Sequence, residues 1–164
     1  MALLGSTYEN SAQGNEDEFI AQLLQQNKYV EASELLRKES AEEPSTLFNM
    51  ALCHYWVEQF QETLLYLHQA QLRLPASIRA SGLSNNPLST TLGTKQNRSD
   101  GYTQPITKKY VTLFAPLVAE AIIRLKTDCW LRLGNYAKVI EIATPLANKN
   151  YKNINEALQV AQNQ

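Results

Sequence analysis

The chain has 164 residues and a mass of 18.5 kDa, near the modal size of one folded domain, and its 44% hydrophobic content suffices for a sizeable core. Six Gly and six Pro are too few for a collagen-like or wholly disordered chain, and a net charge of −1 excludes a strongly basic nucleic-acid binder on composition. That total hides an asymmetry: residues 1–75 carry four Lys/Arg against eleven Asp/Glu, a net of −7, whereas residues 76–164 carry eleven against five, a net of +6.

Residues 1–14 are small and polar and read as a flexible N-terminus without the basic start and apolar stretch of a signal peptide. Asn15 ahead of Glu16-Asp17-Glu18 reads as an N-cap with acids in the first turn, where the helix dipole favours them. Phe19, Ile20, Leu23 and Leu24 then recur at helical spacing, so a first helix spans about 16–27. A second carries Tyr29, Val30, Ala32, Leu35 and Leu36. Ser45 is placed to cap a third, with Leu47, Met50, Ala51, His54 and Tyr55, and a fourth runs from Gln59 through Phe60, Leu64, Leu67 and Ala70 to Pro75.

Residues 76–105 change character. Ser, Thr, Asn and Gly are frequent, and Asn86-Pro87, Gly93, Gly101 and Pro105 break regular structure, so a long loop is expected, of a length that is usually functional or mobile. Asn97-Arg98-Ser99 matches a glycosylation sequon but, without secretion, reads as a chance match. Ile106 to Leu133 reads as helix, yet Pro116 would cost about 3 kcal/mol in a helix interior. The stretch must kink there, or two helices abut. Another helix starts near Asn135 and ends or kinks near Thr144-Pro145, and a C-terminal helix covers 153–163. No alternating β-branched run suggests a strand, so the chain is expected to be all-α.

The helices repeat. At an offset of 31 residues Tyr29 falls on Phe60, Ala32 on Thr63, Leu36 on Leu67 and Pro44 on Pro75. The segment from Pro44 to Pro75 resembles a tetratricopeptide repeat: its apolar, small, aromatic and closing-proline positions hold Leu47, Ala51, Phe60, Thr63, Ala70 and Pro75. Leu131-Arg132-Leu133-Gly134-Asn135-Tyr136-Ala137 resembles the family's inter-helix turn, although Val139 and Tyr151 depart from the small residue and proline expected further on. The resemblance implies hairpins over 15–43, 44–75 and 117–148, stacked as a short right-handed α-solenoid with the 76–105 loop between the second and third. Stacking is physically required, because a lone hairpin cannot bury its apolar face.

The chemistry-bearing residues are sparse. Cys53 and Cys129 lie in helical stretches, and are expected to be buried reduced thiols of a cytoplasmic protein, neither a disulfide framework nor a zinc site. His54 and His68 stand apart from any ligand or nucleophile pattern, and no phosphate loop or metallopeptidase motif occurs. The expectation is therefore a non-enzyme with no cofactor or metal, no membrane span and no nucleic-acid partner. The tetratricopeptide resemblance implies a groove lined by opening helices that takes a peptide or partner helix, with Phe48, Asn49, Leu52 and Trp56 as candidate lining. Arg124, with Lys126, Arg132 and Lys138, is placed to meet an acidic partner. A carboxylate clamp of the kind some family members use is incomplete, since Ala121 and Leu125 stand where its cations would. The resulting expectation is a protein-binding adaptor. Its alternatives are a small secretion-type chaperone holding an apolar cargo segment and a structural subunit of a larger assembly, with head-to-tail self-association possible from the charge division.

Overall fold

The computed structural model describes residues 6–80 and 100–164, and every element in them is helical. The all-α expectation holds. The order is α1 (Ser6–Gln25), α2 (Tyr29–Leu36), α3 (Pro44–Trp56), α4 (Phe60–Arg73), a short α5 (Ala76–Ala80) and a 3-10 turn (Asp100–Thr103). Then come α6 (Lys108–Arg132), α7 (Tyr136–Ala143), a 3-10 helix (Thr144–Lys149) and α8 (Lys152–Gln162). The breakers Asn86-Pro87 and Gly93, and the Asn97-Arg98-Ser99 sequon, lie outside the described residues.

Three turns share one geometry. Asn27, Glu58 and Gly134 each adopt the left-handed conformation, with φ of 60°, 61° and 70°. In each, the N–H of the next residue reaches back to a carbonyl five positions earlier: Lys28 to Leu23 at 2.9 Å, Gln59 to His54 at 2.9 Å and Asn135 to Trp130 at 3.0 Å. This closure satisfies the last carbonyls of the first helix and turns the chain back on itself. Ala32, Thr63 and Val139, at equivalent places after the turns, are all fully buried. Val139 thus occupies the close-approach position despite its β-branch.

The proline expectations hold in detail. α6 breaks at Phe114 (φ −132°, ψ 34°), two residues ahead of Pro116, which then sits in the first turn of a fresh segment where its missing N–H costs nothing. Pro145 likewise ends α7 and starts the 3-10 helix. Two local readings are corrected. α1 begins at Ser6, so the expected flexible stretch 1–14 is helical over its described part, and Asn15-Glu16-Asp17-Glu18 lies inside a helix. Ser45 does not cap α3, which opens on Pro44 with Glu43 at the N-cap and no side-chain cap bond.

Each long helix packs on the next along the chain: α1 on α2, α2 on α3, α3 on α4, α4 on α6, α6 on α7 and α7 on α8. The apolar clusters follow the same order. Ile20, Leu24, Ala32 and Leu36 join Met50 and Cys53 at one end, and Ala143, Leu146, Ile154 and Leu158 close the other. Between them Phe48, Leu52 and Leu67 pack with Tyr102, Ile106, Val118, Ile122 and Leu125. α8 ends the order by burying Ile154, Ala157 and Ala161 while Lys152, Asn155 and Glu156 face solvent. Because no atom lies within 4 Å of a Cβ built on Gly134, Gly134→Ala should cost about 1 kcal/mol through the backbone alone. Urea denaturation with an unchanged helical circular-dichroism spectrum checks this.

Candidate functional site

The face of α3 expected to line an open groove is closed by the protein itself. Residues 101–107 cross it as a strap: Tyr102, Thr103 and Ile106 are buried, and Ile106 packs into the cluster of Phe48 and Leu52. Asn49 holds the strap with both halves of its amide. Its Nδ2 donates to the Ile106 carbonyl at 2.8 Å, and its Oδ1 accepts from the Ile106 N–H at 2.9 Å. Phe48, Asn49 and Leu52 are therefore interior residues, which corrects their placement as partner-facing. At the strap's end Thr107 accepts from Tyr110 N–H at 3.1 Å, and Asp17 Oδ2 accepts from the Lys108 N–H at 2.6 Å, so α1 caps α6. Part of the expected 76–105 loop is thus core.

Arg124 is also interior, for a different reason. Its guanidinium lies between two aromatic rings, 4.1 Å from the Tyr102 centroid and 4.3 Å from that of Tyr151, and Nε donates to Asn153 Oδ1 at 2.8 Å. Cation–π attraction of this kind strengthens when the cation is desolvated. Burial nonetheless lowers the Arg124 pKa, opposed by the charges and rings around it. Asp128 accepts from Tyr102 at 2.5 Å, Asn153 at 3.0 Å and Tyr55 at 3.4 Å. Burial raises its pKa against those three hydrogen bonds. Deeper in, Glu120 is paired with Lys149 at 2.5 Å and accepts from the Tyr151 hydroxyl. Sequence reading missed Tyr102, Glu120 and Asp128, because each looks like an ordinary surface residue until the strap and α8 cover it.

Elsewhere α4, α6 and α7 bound an open groove of about 750 Å³, lined by Leu64, Leu65, Trp130, Leu133 and Ile142 together with His68, Lys126, Lys138 and Glu141. Leu65 is 64% exposed and Leu133 38%. Lys138 is tied to Glu141 at 2.7 Å. Lys126 has a different environment: half-buried, its Nζ donates to the amide oxygen of Gln71 at 2.7 Å, with no carboxylate partner among the described residues, and burial pushes its pKa down to about 8. Trp56, unlike Phe48, Asn49, Leu52 and Arg124, faces solvent, 47% exposed beside Tyr29 and Tyr55 at the α3–α4 turn.

Burial pushes the Cys53 and Cys129 thiols up to about 12, which keeps them protonated and unreactive. His54 stacks on Tyr66, and its Nδ1–H donates to Gln59 Oε1 at 2.6 Å. Among the described residues no group of His, Cys, Asp and Glu is arranged to hold a metal, and no helix is long and apolar enough to cross a membrane. The chain matches no protein-family model, no curated protein and no solved structure.

Two outcomes follow. Asn49→Ala strands a buried N–H and a buried carbonyl, so it should cost about 2–4 kcal/mol in urea denaturation and speed proteolysis within 101–107. Lys126 has a folded pKa below its usual 10.5, so the unfolded chain holds more protons between pH 8 and 10.5. Its penalty is complete below pH 8 and is relieved as pH rises through that window. Lys126→Met should then stabilise the protein at pH 7 by about 1–3 kcal/mol, a gain that disappears by pH 10.5 when thermal denaturation is followed against pH.

Proposed function

We propose that this chain is a protein-binding module built of tetratricopeptide-like hairpin repeats, and that its working surface is the groove between α4, α6 and α7. The observation that carries the reading is that groove: an apolar channel of about 750 Å³ whose leucines remain open while the α3 face is filled by the strap. Exposed apolar surface gathered in a concave site, rimmed by charge, is the usual mark of an interaction site.

The shared turn geometry at Asn27, Glu58 and Gly134 supports the repeat reading, and the helix-on-next-helix packing supports a short solenoid. Recognition in this scheme is helix-in-groove: leucines and Trp130 supply affinity, and the lining charges set register and approach. Trp56 is a second candidate contact, because a half-exposed tryptophan is the residue type most enriched among binding hot spots. Two buried, unoxidised cysteines suit a reducing, cytoplasmic setting.

The test is a photo-crosslinking residue at Leu65, in the groove, against the same residue at Val160, exposed on α8. Covalent capture of one discrete polypeptide from position 65, abolished by Leu133→Arg, is expected. Capture from position 160 alone, or from neither, would sink the proposal. Trp56→Ala should leave helical content intact and weaken the same capture.

A further inference from the structure

We infer that the groove takes a partner helix that carries a carboxylate within its apolar face, and that Lys126 is the counter-ion for that carboxylate. The inference rests on the reading of the α4–α6–α7 groove as the partner site. Its basis is an imbalance of charge. Lys138 already has Glu141 at 2.7 Å, whereas Lys126 Nζ, the more buried cation, has the neutral Gln71 oxygen at 2.7 Å. No carboxylate among the described residues lies within ion-pair distance of it. A desolvated ammonium beside leucines and a tryptophan costs stability that an apolar side chain of the same length would not. Such a residue gains its use when an opposite charge arrives, and part of the lysine's own desolvation has already taken place before binding.

The dimensions suit a helix. The lining residues Gln61 to His68 cover two turns of α4, roughly 11 Å at 1.5 Å per residue, room for two turns of an incoming helix. Two turns present apolar contacts at i, i+3 or i+4, and i+7, and an acidic residue interrupting that stripe would lie against Lys126. The exposed Leu65 and the half-buried Trp130 would pack on the stripe to either side.

The experiment uses the full chain with both tryptophans kept, and Trp130, which lines the groove, serves as the fluorescence reporter through the change in emission on titration. Three probes are titrated: a capped helical peptide of Leu, Ala and Lys with one Glu inside its leucine stripe, the same peptide with Gln in that place, and sodium decanoate. The Glu peptide should shift Trp130 emission and bind about tenfold more tightly than the Gln peptide, a factor typical of a partly desolvated charge pair. Lys126→Met should erase the difference between the peptides, and Lys126→Arg should retain part of it. Equal affinity for the two peptides in the Lys126 protein would overturn the carboxylate pairing and leave the groove reading standing. Failure of both peptides would overturn the groove reading as well. Binding of decanoate alone would make the site one for small amphiphiles and would overturn both.

Discussion

Two hydrogen bonds from the Asn49 amide to the backbone of Ile106 organise the middle of this protein. An asparagine side chain presents one donor and one acceptor in the same spacing as a peptide unit, so it satisfies both buried polar groups of Ile106 at once. With that peptide neutralised, the strap can lie in an apolar environment against Phe48 and Leu52. The consequences extend in both directions along the chain. Upstream, the strap delivers Tyr102 to Arg124 and Asp128. Downstream, it hands Thr107 and Lys108 to the start of α6, where Asp17 of α1 provides the cap. The described segment that leads into α6 is therefore largely buried.

The polar interior around Arg124 follows from the same connection. Arg124, Asp128 and Glu120 lie one turn apart on α6 and would each be costly to bury alone. Each has a different remedy: two aromatic faces for Arg124, three donors for Asp128, and Lys149 with Tyr151 for Glu120. The partners come from the α3 C-terminus, the strap, the 3-10 helix and α8, so the network demands that all of them dock in one register. Networks of this kind specify an arrangement more than they stabilise it. The opposed charges of the two halves contribute little to the same task. The Glu42–Arg73 bridge is well exposed and lies wholly within the acidic half, and the contact between halves is largely apolar or hydrogen-bonded.

Closing the α3 face moves the functional reading elsewhere. Among the described residues, the α4–α6–α7 groove keeps apolar surface open and Lys126 has a neutral partner in place of a carboxylate, features that reduce stability without improving the fold. Local departures from what folding alone would favour tend to concentrate where a protein meets a partner.

Much of the fold was legible in the sequence, because it rests on local rules. Apolar periodicity marked the helices, Pro116 and Pro145 marked the breaks, and the 31-residue offset that aligns Tyr29 with Phe60 also separates the left-handed turns at Asn27 and Glu58. The helical character of every described element and the burial of both cysteines follow from the same short-range signals. The site was far less legible. Which face of α3 stays open depends on a strap residue 57 positions away, and Asp17 caps a helix 91 positions away, so neither partner is visible in the neighbouring sequence. Asn49 and Arg124 have the composition of surface residues, and only tertiary contact made them interior. Trp56 and Lys126 differ because, among the described residues, no segment covers the one and no carboxylate pairs with the other. The sequence by itself determined the helices and their turns, through contacts a few residues apart. Which faces stay uncovered was settled by long-range packing, because it depends on what the other described segments already cover.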